Sequence, residues 1–234
     1  MKLVIFDIDG TLTQAETSYR LARQRFVTAL TRVFGFEADS LIDVPYHGMI
    51  DPQIALLNAQ AHGVSDEEFY AKLDIFKHVY YDCGLEQQKQ GHVCYTPLID
   101  SIRLSKILKT RGVSQWLFTG NFESTGWWKL ACVDLGKPDF DGGTFSDKEA
   151  NKKELAKKLC TEVTKHYGGV YAPKDMVLFG DSINDVMAAR EVGMPVIITL
   201  ESKYVTADAF KDHQPDLIVD SLMDPQVLKY LEIA

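Results

Sequence analysis

The sequence predicts an α/β protein with a mostly parallel sheet and a helical unit inserted directly after the first strand. Three observations carry this. Leu3 to Phe6 is a short, unbroken apolar run containing a β-branched pair, the pattern of a central strand covered on both faces. From about residue 113 to residue 219, short apolar runs alternate with segments of helical period, as right-handed βαβ units require. Between these two regions, residues 14–92 carry helical period and no strand pattern.

Taken in order, Tyr19, Ala22, Phe26, Leu30 and Val33 recur at spacings of three and four, which predicts a helix over 16–34 with Arg20, Arg23 and Arg25 between the apolar positions. Asp51 as N-cap, Pro52 at the first turn and Gly63 as stop predict a second helix. The capping box Ser65 to Glu68 opens a third, with Phe69, Leu73, Phe76 and Tyr80 on one side. Polar residues 86–91 read as a return linker, and Pro97 as the start of a helix ending near Gly112. Strands are then expected at 113–118, 144–145, 176–179, 196–200 and 217–219, with helices at 122–135, 151–167 and 184–192 between them. The expected organisation is a Rossmann-like core of residues 1–13 and 93–234 and a helical cap domain of residues 14–92.

Composition narrows the function classes. Apolar residues make up 46% and charged ones 25%, so a packed core is expected rather than disorder. The net charge of −8 argues against a nucleic-acid or anionic-membrane partner. Four cysteines without C-x-x-C spacing and six scattered histidines give no zinc pattern. A strand at the amino terminus and no apolar run near the ~20 residues of a membrane span point to a cytoplasmic protein. Nothing in the sequence fixes an oligomeric state.

In open parallel sheets, ligands gather at the carboxyl ends of the strands. The first strand ends in Asp7-Ile-Asp9-Gly10-Thr11, the second expected core strand in Thr119-Gly120-Asn121, and the strand at 176–179 in Gly180-Asp181, with Asp185 four residues on. Paired carboxylates repel each other unless a cation or shared proton intervenes, and hard oxygen ligands favour Mg²⁺. Thr119 and the backbone beyond it offer neutral donors to phosphate oxygens. Each stretch alone is equally a turn or a helix cap, since Asp, Asn and Gly serve those roles anywhere.

The three stretches in this order resemble the first, second and fourth motifs of the haloacid dehalogenase superfamily, in its phosphoglycolate phosphatase-like and β-phosphoglucomutase-like branch. The helical insert also falls where that branch places its cap. The resemblance covers residues 3 to about 200. It implies a Mg²⁺-dependent phosphatase of small-molecule phosphomonoesters working through an aspartyl-phosphate. Asp7 would be the nucleophile, and Asp9 the acid and base. Thr119, Gly120, Asn121 and Gly10 would surround the phosphate. Asp7, Asp9 (through its carbonyl) and Asp181 would hold Mg²⁺, with Asp185 supporting. A phosphomutase, or a binding protein on the same scaffold, is the alternative. Asp9 argues against dehalogenase chemistry, because that branch lacks the second acid.

The family's third motif supplies a lysine, for which Lys137 and Lys152 compete. A right-handed crossover leaves Lys137 at the far sheet edge and brings the helix opening at Asn151 to the Asp7 edge, so Lys152 is expected, with Lys153 next in line. Residues 46–51 form a turn-rich stretch between insert helices that could close over the site, which makes His47 and Asp51 candidate substrate contacts.

Overall fold

The computed structural model describes residues 2–15, 19–202 and 204–232. In chain order the elements are β1 (Leu3–Phe6), β2 (Thr13–Ala15), α1 (Arg20–Phe34), α2 (Asp51–Ala61), α3 (Asp66–Lys89), β3 (Tyr95–Pro97), α4 (Ile99–Thr110), β4 (Gln115–Thr119), α5 (Glu123–Ala131), β5 (Gly142–Phe145), α6 (Lys152–Tyr167), β6 (Met176–Gly180), α7 (Ile183–Val192), β7 (Val196–Thr199), β8 (Leu217–Val219) and α8 (Pro225–Tyr230). Six strands form one sheet in the order β5-β4-β1-β6-β7-β8, and every pairing in it is parallel. β1 is interior, as its unbroken apolar run requires. Alternate residues serve opposite faces. Val4 and Phe6 join Leu117, Phe179 and Leu130 of α5, while Leu3 and Ile5 join Phe118, Leu178 and Leu155 of α6.

Register then sets the site. Phe6 lies level with Leu117 on one side and Phe179 on the other, so Asp7, Thr119 and Asp181 leave the sheet at the same edge. Gly142, at the start of β5, lies level with Trp116 near the start of β4, so Lys137 stands at the opposite edge.

Helices α1, α2 and α3 pack around their own apolar cluster of Phe26, Leu30, Phe69, Leu73, Phe76 and Tyr80, which Phe122 of the core joins. Ser65 caps α3 by accepting from the Glu68 N–H at 3.2 Å, as its motif predicts.

Several expectations need correction. Residues 13–15, which overlap the expected helical stretch of 14–92, and residues 95–97, beside the expected helix start at Pro97, are strands. They form an antiparallel two-stranded ribbon where the chain leaves and re-enters the core, runs too short to display any period. The supposed linker at 86–91 is helical through Lys89, because Gln87 is buried and bonds Arg25 and the Leu21 carbonyl. Pro97 closes β3 rather than opening α4. The expected start of α1 at residue 16 falls outside the described residues, which give the helix from Arg20. Arg25, expected among polar positions, is 1% exposed. Ile50, not Asp51, occupies the N-cap of α2, and the Asp51 carboxylate turns away to the core.

Candidate active site

The loop after β1 turns tightly because three successive N–H groups, those of Thr11, Leu12 and Thr13, all donate to the Ile8 carbonyl. Gly10 sits inside this turn with φ of 76°. A Cβ there would lie 1.8 Å from Asp181 Oδ2, so both conformation and close approach require glycine.

A cavity of about 370 Å³ opens at this edge of the sheet. Asp7, Asp9, Thr119, Gly120, Asn121, Lys152, Asp181, His47 and Asp51 all line it. Gly10 and Asp185 stand directly behind the lining, against Asp181. Lys137 lies elsewhere, exposed and 5.7 Å from the Trp127 ring, and Lys153 is not among the lining residues.

Asp7 is buried, with Oδ1 accepting from the Ile8 N–H at 2.7 Å and Oδ2 2.7 Å from Lys152 Nζ. Burial pushes its carboxyl up to about 7; Lys152 opposes this, but the Asp185 and Asp181 carboxylates add to it. Lys152 opens α6 behind the Asn151 N-cap, is itself buried, and also meets Asp185 Oδ1 at 2.7 Å. Desolvation would strip its proton, yet the two carboxylates hold its pKa above the usual lysine value. Asp185 Oδ2 accepts from Ser182 N, Ser182 Oγ and Asp181 N, which locks the start of α7 to the strand end.

Asp9 has a different environment. Its Oδ2 lies 2.6 Å from Lys129 Nζ and 2.8 Å from Asn121 Nδ2. Burial works to raise its carboxyl, but the Lys129 ammonium and the Asn121 amide hold it below the ordinary value. Asn121 Oδ1 accepts from Lys129, and its backbone and side-chain N–H groups donate to Thr119 Oγ1 at 3.2 and 2.6 Å. Lys129 escaped the sequence reading because a lysine in Trp127-Trp128-Lys129-Leu130 looks like a solvated helix position. Its one signal is its register four residues after Thr125, on the buried side of α5.

The stretch at 46–51 reaches the core. His47 Nε2 stands 3.2 Å from Asp181 Oδ2, and its carbonyl accepts from Asn184 Nδ2 at 3.1 Å. The hydrogen bond to Asp181 raises the imidazole pKa, against the effect of burial. Asp51 ties the insert to the second motif twice: its N–H donates to the Gly120 carbonyl at 2.7 Å, and its Oδ2 accepts from Phe122 N at 3.0 Å. Burial pushes its carboxyl up to about 6.

The donor set fits a hard divalent cation. Asp7, Asp181 and Asp185 each offer a carboxylate oxygen, all within 4.8 Å of one another and all buried. One lysine is shared among these acids, which leaves a net negative charge away from water.

Comparison with known proteins agrees with this fold. Over 234 aligned residues, the chain is 23% identical to a phosphoglycolate phosphatase of Nitrosococcus oceani, covering 95% of this chain and 94% of that one. A structure described as a predicted phosphatase from Clostridium acetobutylicum superposes with a TM-score of 0.69 at 18% identity, covering 99% and 98% of the two chains. CbbY from Rhodobacter sphaeroides, solved in complex with phosphate, gives 0.68 at 14% identity over 96% of each chain. At these identities the superpositions carry the fold. The sequence profile of the haloacid dehalogenase-like hydrolases matches residues 1–193, a span that runs from Asp7 through Asp185, and the chain belongs to that family of enzymes.

Proposed function

We propose that the protein is a Mg²⁺-dependent phosphatase that cleaves a small-molecule phosphomonoester through an aspartyl-phosphate on Asp7. The observation that carries this reading is the meeting of Asp7, Asp9, Thr119, Lys152 and Asp181 around one cavity at the carboxyl edge of the sheet. The likeness to the Nitrosococcus phosphoglycolate phosphatase supports a phosphatase, and the phosphate complex of the Rhodobacter protein supports a phosphate ligand. Residues 14–92 act as a cap over the site.

In the first half-reaction an Asp7 carboxylate oxygen attacks phosphorus in line, the bond from phosphorus to the leaving oxygen breaks, and Asp9 gives that oxygen a proton. In the second half, Asp9 takes a proton from water as the water oxygen attacks phosphorus. The Asp7–phosphorus bond breaks, inorganic phosphate leaves, and both aspartates are restored. Lys152 fixes the Asp7 carboxylate and balances the phosphoryl charge. The Thr119 hydroxyl has its oxygen engaged by Asn121, which leaves its O–H to donate to the phosphate. Asp7, Asp181 and the Asp9 carbonyl would hold Mg²⁺, with Asp185 behind them, and the ion supplies charge neutralisation at the phosphoryl oxygens. Such positioning and charge compensation are most of what phosphoryl transfer needs.

Phosphate release from a panel of phosphomonoesters, with Mg²⁺ and with chelator, tests the reading. Release that requires the metal is expected. Phosphate binding without release on any ester would leave a binding protein in its place.

A further inference from the structure

We propose that Lys129, which lies outside all the motif stretches, is the positioning residue for Asp9: it anchors Oδ2 so that Oδ1 is presented to the cavity. The proposal rests on the reading of Asp9 as the group that handles the proton.

Burying an ammonium costs several kcal/mol unless it is paired. Lys129 is 5% exposed, so its place on the buried side of α5 needs a partner, and Asp9 Oδ2 provides it at 2.6 Å. Among the described residues no bond is made to Asp9 Oδ1, while Oδ2 takes both Lys129 and Asn121. Among the described residues the carboxylate is therefore held by one oxygen, and Asp9 lines the cavity.

Lys129 is caged in its turn. Its Nζ lies 5.1 Å from the centre of the Tyr95 ring, and that ring also meets the Arg25 guanidinium at 5.3 Å. Arg25 donates to the Tyr95 hydroxyl, and to Gln87 Oε1 at 2.9 Å. The Lys129 ammonium is thus held by Asp9 and Asn121, with the Tyr95 hydroxyl as a further partner. Because Asn121 also holds the Thr119 oxygen, this one lysine fixes two groups of the site through a single amide.

The test uses two substrates, an alkyl phosphate whose leaving oxygen needs a proton and 4-nitrophenyl phosphate, whose leaving group needs little help. Lys129→Met should lower kcat on the alkyl ester by roughly 10²-fold, the scale of general acid–base catalysis. On the aryl ester the loss should be about ten-fold smaller, with KM moved by less than about three-fold on either. In an Asp9→Asn background, which also removes the uncompensated charge should the single variant fold poorly, Lys129→Met should cause no further loss of kcat.

Equal losses on both esters would overturn the proposal. So would a raised KM at unchanged kcat, which would make Lys129 a substrate-binding cation, or additive losses in the double variant. Full activity of Asp9→Asn alone would instead remove the acid–base reading of Asp9, a separate failure.

Discussion

Asp7 and Asp9 stand two residues apart, and each meets a buried lysine at 2.6–2.7 Å, yet their electrostatics run in opposite directions. The Asp9 carboxyl is held low because Lys129 serves it together with a neutral amide. The Asp7 carboxyl rises to about 7 because burial outweighs Lys152, which is divided between Asp7 and Asp185, and because the Asp185 and Asp181 carboxylates add to the rise. One pair is balanced and the other is short of positive charge. The shortage lies at the cluster of Asp7, Asp181 and Asp185, which could hold a divalent cation, and the balance lies at Asp9. Asp7 thus belongs to a charge-poor cluster of buried acids, whereas Asp9 has a cation and an amide of its own.

Breaking either pair should expose the asymmetry. Asp7→Asn should lower kcat by at least about 10³-fold with the circular dichroism spectrum unchanged, since an amide is neither a comparable nucleophile nor an anionic ligand. Asp9→Asn should be severe on alkyl esters and milder on a good leaving group. Lys152→Ala should reduce kcat by on the order of 10²-fold and destabilise the fold by about 3–5 kcal/mol, as expected when buried acids lose their cation. Added Mg²⁺ should recover part of that loss in a thermal melt. Lys137→Ala should match the unmodified enzyme in both respects, and the reverse ranking of the two lysines would contradict the chain trace from β4 to α6.

Asp51 gives a pH test outside the proposed chemistry. Its folded-state carboxyl titrates near 6, above the ordinary 3.8, so its contribution to stability is full below about pH 4 and is lost as pH rises through 6. Asp51→Asn should therefore gain stability relative to the parent between pH 4 and 7, by about 3 kcal/mol at 1.36 kcal/mol per unit. A Tm difference that does not change over this range would contradict the raised carboxyl that burial gives Asp51. The smallest effect is expected at His47. His47→Ala should raise KM for a substrate that fills the cavity more than for a small aryl phosphate, and equal changes on both would argue against a specificity role.

The core of this architecture was legible because its signals are local. The run at Leu3 to Phe6, the acids at strand ends and the glycine stops read directly from residue type and spacing. Lys152 was reached through topology, since a right-handed crossover fixes which helix starts at which edge. The ribbon of β2 and β3 is not legible because three residues cannot display a period, and its pairing joins positions 80 to 84 residues apart. Lys129 and Arg25 were passed over for a related reason. A cation in a helix is read as solvated unless its partner is known, and their partners Asp9, Asn121 and Tyr95 come from other elements. At Asp51 the residue type points to an N-cap, whereas its carboxylate accepts from Phe122 N across to the second motif.

The proposed chemistry rests above all on Asp7 as the nucleophile that attacks phosphorus. Acid quench during turnover of 4-nitrophenyl phosphate with Mg²⁺, followed by peptide mass spectrometry, reads this directly. The account predicts a peptide containing Asp7 that is heavier by one phosphoryl group, present in the unmodified enzyme, accumulated in Asp9→Asn and absent from Asp7→Asn. Phosphoryl transfer to another residue, or turnover by Asp7→Asn at the unmodified rate, would contradict it.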